Sequence, residues 1–396
     1  MTSRSPDHIY TKRPLFFWAI CAVTSSWTLR SQLEPLTKRL VAETMCSVSQ
    51  SIETVQALLV LSMWPFAVSS LNEDPSCYYS GLAWQMCLQL GLHRPLETHS
   101  HQYGSEADSR TEHEEVKITT WLAAFVVNNL QSTYRGVPPA MLVDVHLLNA
   151  FDHPNVDPTL SQLCRISHLL MQSTLAISSN GPTLSRMLEP EARLNMIRHY
   201  GEQFAALEAQ YLQQISDPVM ITFLTSRAQL WSFALLGDMS PSPERENCFI
   251  RARTDAISLI ELCYPKNLSI APHHVRWSMS FSAFVLIRVL SSPQTTDAEV
   301  LEDMIERVCQ LLEVNSSSPK DTVKKACDTI RVLPKMKDRH LRAPILSRMG
   351  TSIVYDSLRI WVENRFYSST HAGQAGATMD SFDLDGIDWY SLDPIL

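Results

Sequence analysis

Glycine is scarce in this chain, which has 11 glycines among its 396 residues. That is about 3%, whereas proteins on average contain about 7%. Glycine supplies the positive φ angles of tight turns and the close backbone approach that phosphate-binding loops need. The sequence contains neither the G-x-G-x-x-G pattern nor the G-x-x-x-x-G-K-[ST] pattern. The shortage therefore argues against a nucleotide-binding α/β enzyme.

Helix start and stop signals recur along the chain. Asp74-Pro75, Asp217-Pro218 and Ser242-Pro243 each place a capping residue before a proline in the first turn. Gly91 and Gly136 follow long apolar segments, as residues that end helices do. Further helices are predicted over 15–30, 51–63, 160–177, 191–214, 274–290, 297–314 and 320–332. Because strand-like alternation is nearly absent and no fixed repeat emerges, we predict an all-α fold, an irregular, solenoid-like bundle of many helices.

Composition divides the chain near residue 367. Residues 1–366 are predicted to form the all-α region, and the Ser-, Gly- and Ala-rich stretch from about Ser368 is typical of a linker. Residues 380–396 contain five Asp and no Lys or Arg. Apolar residues alternate with these acids at Phe382, Leu384, Ile387, Trp389, Tyr390 and Leu392. The pattern is typical of acidic activation segments, and with equal weight it fits a terminal segment that docks on the helical body.

The net charge and the cysteine content limit the kinds of partner and metal that the chain is expected to bind. The formal net charge is -8, and 45% of residues are hydrophobic, which indicates a folded protein that does not hold nucleic acid or membrane by charge alone. Two apolar runs, 14–23 and 277–290, are too short to cross a bilayer and are interpreted as buried helices. Nine cysteines are present without any C-x-x-C spacing. We expect reduced, packed thiols and no zinc site.

Three other groups of side chains could be taken for metal-binding or nucleic-acid-binding sites. His99 and His101 lie in a polar loop, where solvated side chains are the expectation. His273 and His274 are adjacent, so they point apart on a helix and cannot chelate one metal from one face. Residues 320–342 hold eight Lys or Arg against three acids, but they lack the aromatics of a nucleic-acid stacking surface. No catalytic, cofactor-binding or metal-binding residue is predicted, and the chain is not expected to be an enzyme.

Four segments in order resemble a family of fungal transcription regulators. They are Arg13–Ile20, Ile52–Leu59 leading to Trp64-Pro65, Ser80–Arg94 with Gly81 and the run Gly91-Leu92-His93-Arg94, and the late Ser347–Gly350. They are similar to the middle homology region that follows a zinc binuclear-cluster DNA-binding domain, and look closest to the branch with the yeast leucine-biosynthesis and weak-acid-response regulators. The strong match covers roughly residues 10–140.

The signature residues have a structural interpretation. Leu82, Met86 and Leu90 form an i, i+4 stripe that would face a core. Gly91 would permit a left-handed turn. His93 and Arg94 would then lie at a helix C-terminus, where cations are favoured and carbonyls need partners.

The resemblance implies a nuclear transcription regulator or co-regulator. Its helical body would respond to a small-molecule effector or restrain the tail, and the tail would recruit the transcription machinery. The family reads DNA through a six-cysteine zinc cluster, and this sequence has none. We therefore do not expect these residues to read DNA directly: the chain is either a truncated gene product or a regulator that acts through a zinc-cluster partner. The alternatives are an all-α enzyme that acts on an apolar metabolite and a helical adaptor protein. No catalytic or repeat pattern in the sequence supports either of them.

Overall fold

Helices account for nearly all regular structure. The computed structural model describes residues 5–46, 51–94, 107–213, 215–266, 268, 270–292, 295, 297–316, 321–339 and 346–372. The α-helices of this part are α1 (Pro6–Lys12), α2 (Pro14–Thr24), α3 (Trp27–Cys46), α4 (Ile52–Met63), α5 (Ser76–Gln89), α6 (Ala107–Arg135), α7 (Val145–Ala150), α8 (Pro158–Ser178), α9 (Pro190–Tyr211), α10 (Asp217–Ser232), α11 (Pro243–Cys263), α12 (His273–Leu290), α13 (Ala298–Val314), α14 (Thr322–Val332) and α15 (Ser352–Ala372). Short 3₁₀ segments cover Leu71–Glu73 and Leu333–Arg339. The described residues form no strand, and the predicted all-α fold class is confirmed.

Local capping explains several boundaries. The hydroxyl of Ser242 accepts a hydrogen bond from the backbone N–H of Arg245 (3.2 Å), and the proline at 243 occupies the first turn of α11, as predicted. Asp144 and Asp321 cap α7 and α14 in the same way, with distances of 2.9 and 2.8 Å. These side chains satisfy N–H groups that have no partner within the helix.

Other boundaries differ from the prediction. The N-cap residue of α5 is Pro75, without a side-chain hydrogen bond, rather than Asp74, whose carboxylate lies 3.7 Å from Arg135. The helix predicted over 15–30 is two helices that meet at Ser25, which is extended. At the other end of the chain, α15 continues to Ala372, past the start of the linker predicted from Ser368.

One compact unit, unit 1, contains the described residues of Met1–Phe66, Pro75–Ser132 and Pro139–Ser167. Helix α4 packs against both α2 and α5 here. The core includes Leu58, Trp121, Leu122 and Phe125, each at most 2% exposed. Leu82, Met86 and Leu90, the stripe predicted on α5, all pack into this core, with Met86 fully covered and the two leucines partly covered.

A second compact unit, unit 2, is assembled from three separate stretches: Ala67–Asp74, Thr133–Pro138 and the described residues of His168–Leu396. Its central helix is α12, which packs against α10, α11, α13, α14 and α15. The short stretches are tied in by hydrogen bonds. The Thr322 N–H donates to the Val68 carbonyl (3.2 Å), and the Tyr355 hydroxyl donates to the Arg135 carbonyl (3.1 Å). No helix of the described chain is long and apolar enough to span a membrane.

Candidate regulatory sites

The Gly91-Leu92-His93-Arg94 run forms the C-terminal turn of α5. Gly91 has φ of 69°, the left-handed conformation predicted for it. Its N–H donates to the Leu88 carbonyl (3.1 Å), and the Leu92 N–H donates to the Cys87 carbonyl (2.9 Å). This pair of bonds is a Schellman motif, in which the residue after the glycine usually packs against the helix. Leu92 fits that role, since its side chain is fully buried.

Backbone groups therefore cap the carbonyls for which we expected His93 and Arg94. The Nδ1 atom of His93 is buried and has no hydrogen-bond partner among the described residues. Arg94 is exposed, and its backbone N–H donates to the Gly91 carbonyl (3.2 Å). The hydrogen bonds described for this turn are made by main-chain groups around Gly91 and Leu92.

Two other early signature residues, Trp64 and Pro65, hold a buried arginine. Trp64 and Pro65 follow α4, and their carbonyls accept hydrogen bonds from Arg30 Nη2 at 2.5 and 2.9 Å. The Arg30 guanidinium also lies 5.6 Å from the centre of the Phe66 ring. Sequence reasoning missed Arg30, because its partners lie more than thirty residues away. Gly81 lies inside α5, where an added Cβ would meet no atom within 4 Å.

The late signature, Ser347–Gly350, is a tight turn in unit 2. The Arg348 guanidinium lies 5.2 Å from the Tyr355 ring centre, and Met349 has a left-handed backbone conformation with φ of 49°. A second Ser-Arg-Met run, at 185–187, lies beside it, and the Ser347 N–H donates to the Ser185 carbonyl (2.8 Å). In each run the serine hydroxyl accepts a hydrogen bond from the N–H of the methionine. The signature thus builds a paired turn before α15.

Tyr134 and His273 lie in an aromatic cluster of unit 2. The two rings meet edge to face with centroids 4.7 Å apart, and Trp277 stacks on Phe281. Burial, with a smaller effect of nearby Arg276, lowers the pKa of His273 to about 4, and burial also lowers the pKa of His274 to about 4. Both imidazoles are neutral at pH 7.

Unit 2 also buries three arginines, Arg193, Arg245 and Arg288, which we call the arginine cluster; they are 1%, 9% and 1% exposed. Arg193 forms a bidentate pair with Asp238, at 2.9 and 2.6 Å. Arg288 pairs with Asp356. The amphipathic patterns of the sequence gave no signal for this cluster.

The basic stretch 320–342 is partly neutralised where the structure describes its side chains: Lys324 and Arg331 pair with acids, whereas Lys325 donates to the Ser69 carbonyl (2.9 Å). Arg331 binds both Glu306 (2.9 Å) and Glu313 (2.5 Å) across to α13. Lys324 binds Glu313 at 2.6 Å and Asp328 at 3.1 Å. This pairing agrees with the interpretation of residues 320–342 as a solvated helix face rather than a nucleic-acid-binding surface.

All nine cysteines are free thiols, and six are buried. Burial raises the pKa of Cys87, Cys309 and Cys327 to about 12, so these side chains stay protonated. Over the described residues no group of three His, Cys, Asp or Glu side chains could hold a metal ion. His99, His101 and the tail residues Phe382, Leu384, Ile387, Trp389 and Leu392 lie outside the described residues.

Comparison with known proteins identifies the family. The model of the fungal specific transcription factor domain matches residues 4–225. The chain belongs to this family. The match contains the three early signature segments and ends before the late one.

Curated members of the family align over most of the chain. The transcriptional regulatory protein SEF1 of Candida albicans is 26% identical over 358 residues, which are 84% of this chain and 38% of that protein. The putative transcription factor SEF1 of Saccharomyces cerevisiae is 24% identical, covering 75% of this chain and 29% of the relative. The regulatory protein LEU3 of Saccharomyces cerevisiae is 22% identical, covering 62% and 30%. The chain thus spans about a third of the length of these relatives. No solved structure matches it significantly.

Proposed function

We propose that the chain is the effector-responsive regulatory region of a fungal transcription regulator that works in the nucleus and is not an enzyme. The observation that carries the proposal is the family match over residues 4–225, together with relatives named as transcriptional regulators. The signature residues Trp64, Pro65, Gly81, Gly91, Leu92, His93 and Arg94 serve the helical body rather than a reaction. The partners we propose are a zinc-cluster DNA-binding protein and the transcription machinery.

A tethering assay tests this function. The full chain is fused to a bacterial DNA-binding domain and placed at reporter promoters of low and of high basal activity in yeast nuclei. We expect reporter expression to change severalfold relative to the DNA-binding domain alone. An unchanged output at both promoters, with the fusion present in the nucleus, would contradict a regulatory role.

The tail, residues 367–396, is proposed as the activating part. Its five aspartates repel one another, so the aromatic side chains remain available to a hydrophobic groove on a coactivator. Fused alone to the same DNA-binding domain, it should activate the low-basal reporter. The double change Phe382→Ala and Trp389→Ala should remove most of that activation, because aromatics supply the largest contact area.

Ser391→Ala is the matched control and should leave activation unchanged. An inert tail would overturn the activation proposal while leaving the assay of the full chain to decide the wider one. Equal loss in the control and the aromatic variant would show that the tail acts without a specific groove.

A further inference from the structure

The segment between α10 and α11 carries a repeated Ser-Pro motif. Ser240-Pro241-Ser242-Pro243 contains two Ser-Pro pairs, the dipeptide that proline-directed kinases phosphorylate. Residues 240–242 lie outside any helix and directly precede α11. A kinase takes its acceptor serine in an extended segment, and a proline favours an extended conformation in the residue before it. The motif is therefore placed where a kinase could use it.

The structure distinguishes the two serines of this motif. Ser242 is the N-cap of α11, and its hydroxyl accepts the Arg245 N–H (3.2 Å). The residues after Ser242 are helical, so that serine does not lie in an extended segment while α11 is folded. Ser240 is exposed, and its hydroxyl makes no hydrogen bond to the described residues. The acceptor that the structure favours is Ser240.

Other Ser-Pro pairs of the described chain are less suited to phosphorylation. The hydroxyl of Ser5 caps α1, where it accepts the His8 N–H (3.3 Å). Ser292 is partly covered. Among the described serines that precede a proline, Ser240 alone is exposed and has a hydroxyl without a hydrogen bond.

A positive charge without an ionic partner lies under the same segment. The Arg245 side chain donates only to carbonyls, those of Ala234 (2.9 Å), Leu236 (2.9 Å) and Met239 (2.5 Å). No carboxylate of the described chain forms an ion pair with it, whereas Arg193 and Arg288 of the arginine cluster each have one. A buried charge without a counter-charge is costly, and an added anion would offset that cost.

The covalent structure brings Ser240 within reach of this charge. Five covalent bonds separate the Ser240 Oγ from the Met239 carbonyl oxygen, so the two atoms lie within about 6 Å of each other. Arg245 Nη1 donates to that same carbonyl oxygen. The neighbouring acid, Asp238, is already bound by Arg193 at 2.9 and 2.6 Å. A phosphate on Ser240 would therefore find an arginine that no acid has taken.

We propose that a proline-directed serine kinase phosphorylates Ser240 and that the phosphate binds the Arg245 guanidinium. The Ser240 Oγ attacks the γ-phosphorus of Mg-ATP, and a new Oγ–P bond replaces the bond from that phosphorus to the β–γ bridging oxygen. ADP leaves with the electron pair of the broken bond, and the hydroxyl proton passes to a base of the kinase. The phosphate brings a charge of about −1.5 to −2 at pH 7 and ties the segment to α11.

Mass spectrometry of the purified full chain tests the modification. The chain is incubated with Mg-ATP and a proline-directed kinase that is active on a Ser-Pro peptide. We expect phosphate at Ser240, and Ser240→Ala should remove that phosphopeptide. Ser240→Thr keeps a hydroxyl before Pro241 and should be phosphorylated. Ser292→Ala is the matched control and should leave phosphorylation of Ser240 unchanged.

Thermal unfolding of the same chain tests the pairing with Arg245. Phosphorylation should raise the melting temperature by about 2 °C or more relative to the chain incubated without ATP. In the Arg245→Gln chain, compared with its own unphosphorylated form, this rise should be absent. Because Arg245→Gln could fail to fold, ³¹P NMR of the unsubstituted phosphorylated chain gives a second measurement. The second pKa of the phosphate should be lower in the folded chain than in urea, because a guanidinium favours the dianion.

Each outcome decides one part of the proposal. A chain that carries no phosphate at Ser240, or carries it at Ser242 instead, overturns the modification site. Phosphate at Ser240 with an unchanged melting temperature and equal phosphate pKa values in buffer and in urea overturns the pairing. An equal rise in the Arg245→Gln chain overturns it as well. These measurements need no promoter, so a failure of the transcriptional role would appear only in the tethering assay.

Discussion

Gly91 and Gly136 have positive φ angles of 69° and 63°, and each follows directly on a long helix. For an L residue with a side chain, the left-handed conformation costs about 1–2 kcal/mol. At Gly91 an added Cβ would meet no atom within 4 Å. Only the backbone conformation therefore requires glycine at that position.

The prediction at Gly91 compares two glycines of the same segment. Gly91→Ala should lower the free energy of unfolding by about 1 kcal/mol, because alanine resists the left-handed turn. Gly81→Ala is the control. It lies inside α5 with equal space for a Cβ, so it should raise stability by up to about 1 kcal/mol. Urea unfolding followed by circular dichroism measures both, and equal signs for the two variants would contradict this account.

At the residue scale, the sequence predicts those conformations that depend on residues adjacent in the chain. The turn at Gly91 depends on a few adjacent residues, and its conformation could be predicted. Asp74 has the same local signal as a helix cap, yet its carbonyl accepts a hydrogen bond from Arg135 (2.7 Å), sixty-one positions away. Arg30 and Arg288 escaped prediction for the same reason, since their surroundings come from distant segments.

Helices α13 and α14 are joined by an ion-pair network at a half-exposed surface. Glu313 accepts hydrogen bonds from Arg331 and Lys324, and these bonds lower the pKa of its carboxyl group to about 2. The ordinary value of 4.5 applies to the unfolded chain. Because the folded pKa is the lower one, the carboxylate contributes stability above about pH 4.5, and this contribution is lost as the pH falls towards 2.

Replacement of that carboxyl group should show the same dependence. Glu313→Gln should lower the free energy of unfolding by about 0.5–1 kcal/mol at pH 7, the range of partly exposed pairs. The difference from the unmodified chain should shrink below pH 4.5. Glu202→Gln is the control, since Glu202 is exposed on α9 and has no ionic partner among the described residues. Urea midpoints from pH 3 to 7 measure the effect; a difference that grows in acid would refute the pairing.

At the scale of elements, long periodic segments were predicted well and short or polar ones were not. The predicted helix over 191–214 corresponds to α9, and that over 274–290 corresponds to α12. The six-residue α7 was missed, because so short a helix has no periodicity to detect. Helix α15 was also missed; its buried residues combine apolar side chains such as Ile353 and Trp361 with the Asp356–Arg288 pair.

The whole molecule carries a net charge of -8, and two basic side chains of the stretch 320–342 are paired with acids of the same unit. Phosphate binding requires free cations on one face, since affinity arises from neutralised phosphates. Arg331 and Lys324 are already bound to acids of the same unit.

We therefore predict that the 396-residue chain alone shows no sequence preference for DNA. In a gel-shift titration at physiological salt, any binding should be weak and equal for unrelated duplexes. Glu306→Gln with Glu313→Gln would free Arg331 and should increase only that unspecific binding. A defined site bound near 10⁻⁸ M, the affinity of specific DNA-binding proteins, would refute the prediction.

Unit 2 is built from stretches that are far apart in the chain. Its parts are therefore synthesised at different times. A ribosome adds about 5–20 residues per second. Val68 is therefore made about 10–50 s before Thr322, whose N–H it accepts. Throughout that interval the nascent chain holds unit 2 without the residues that complete it. The cell must shield this intermediate until translation reaches α14, and a slow or interrupted message exposes it for longer.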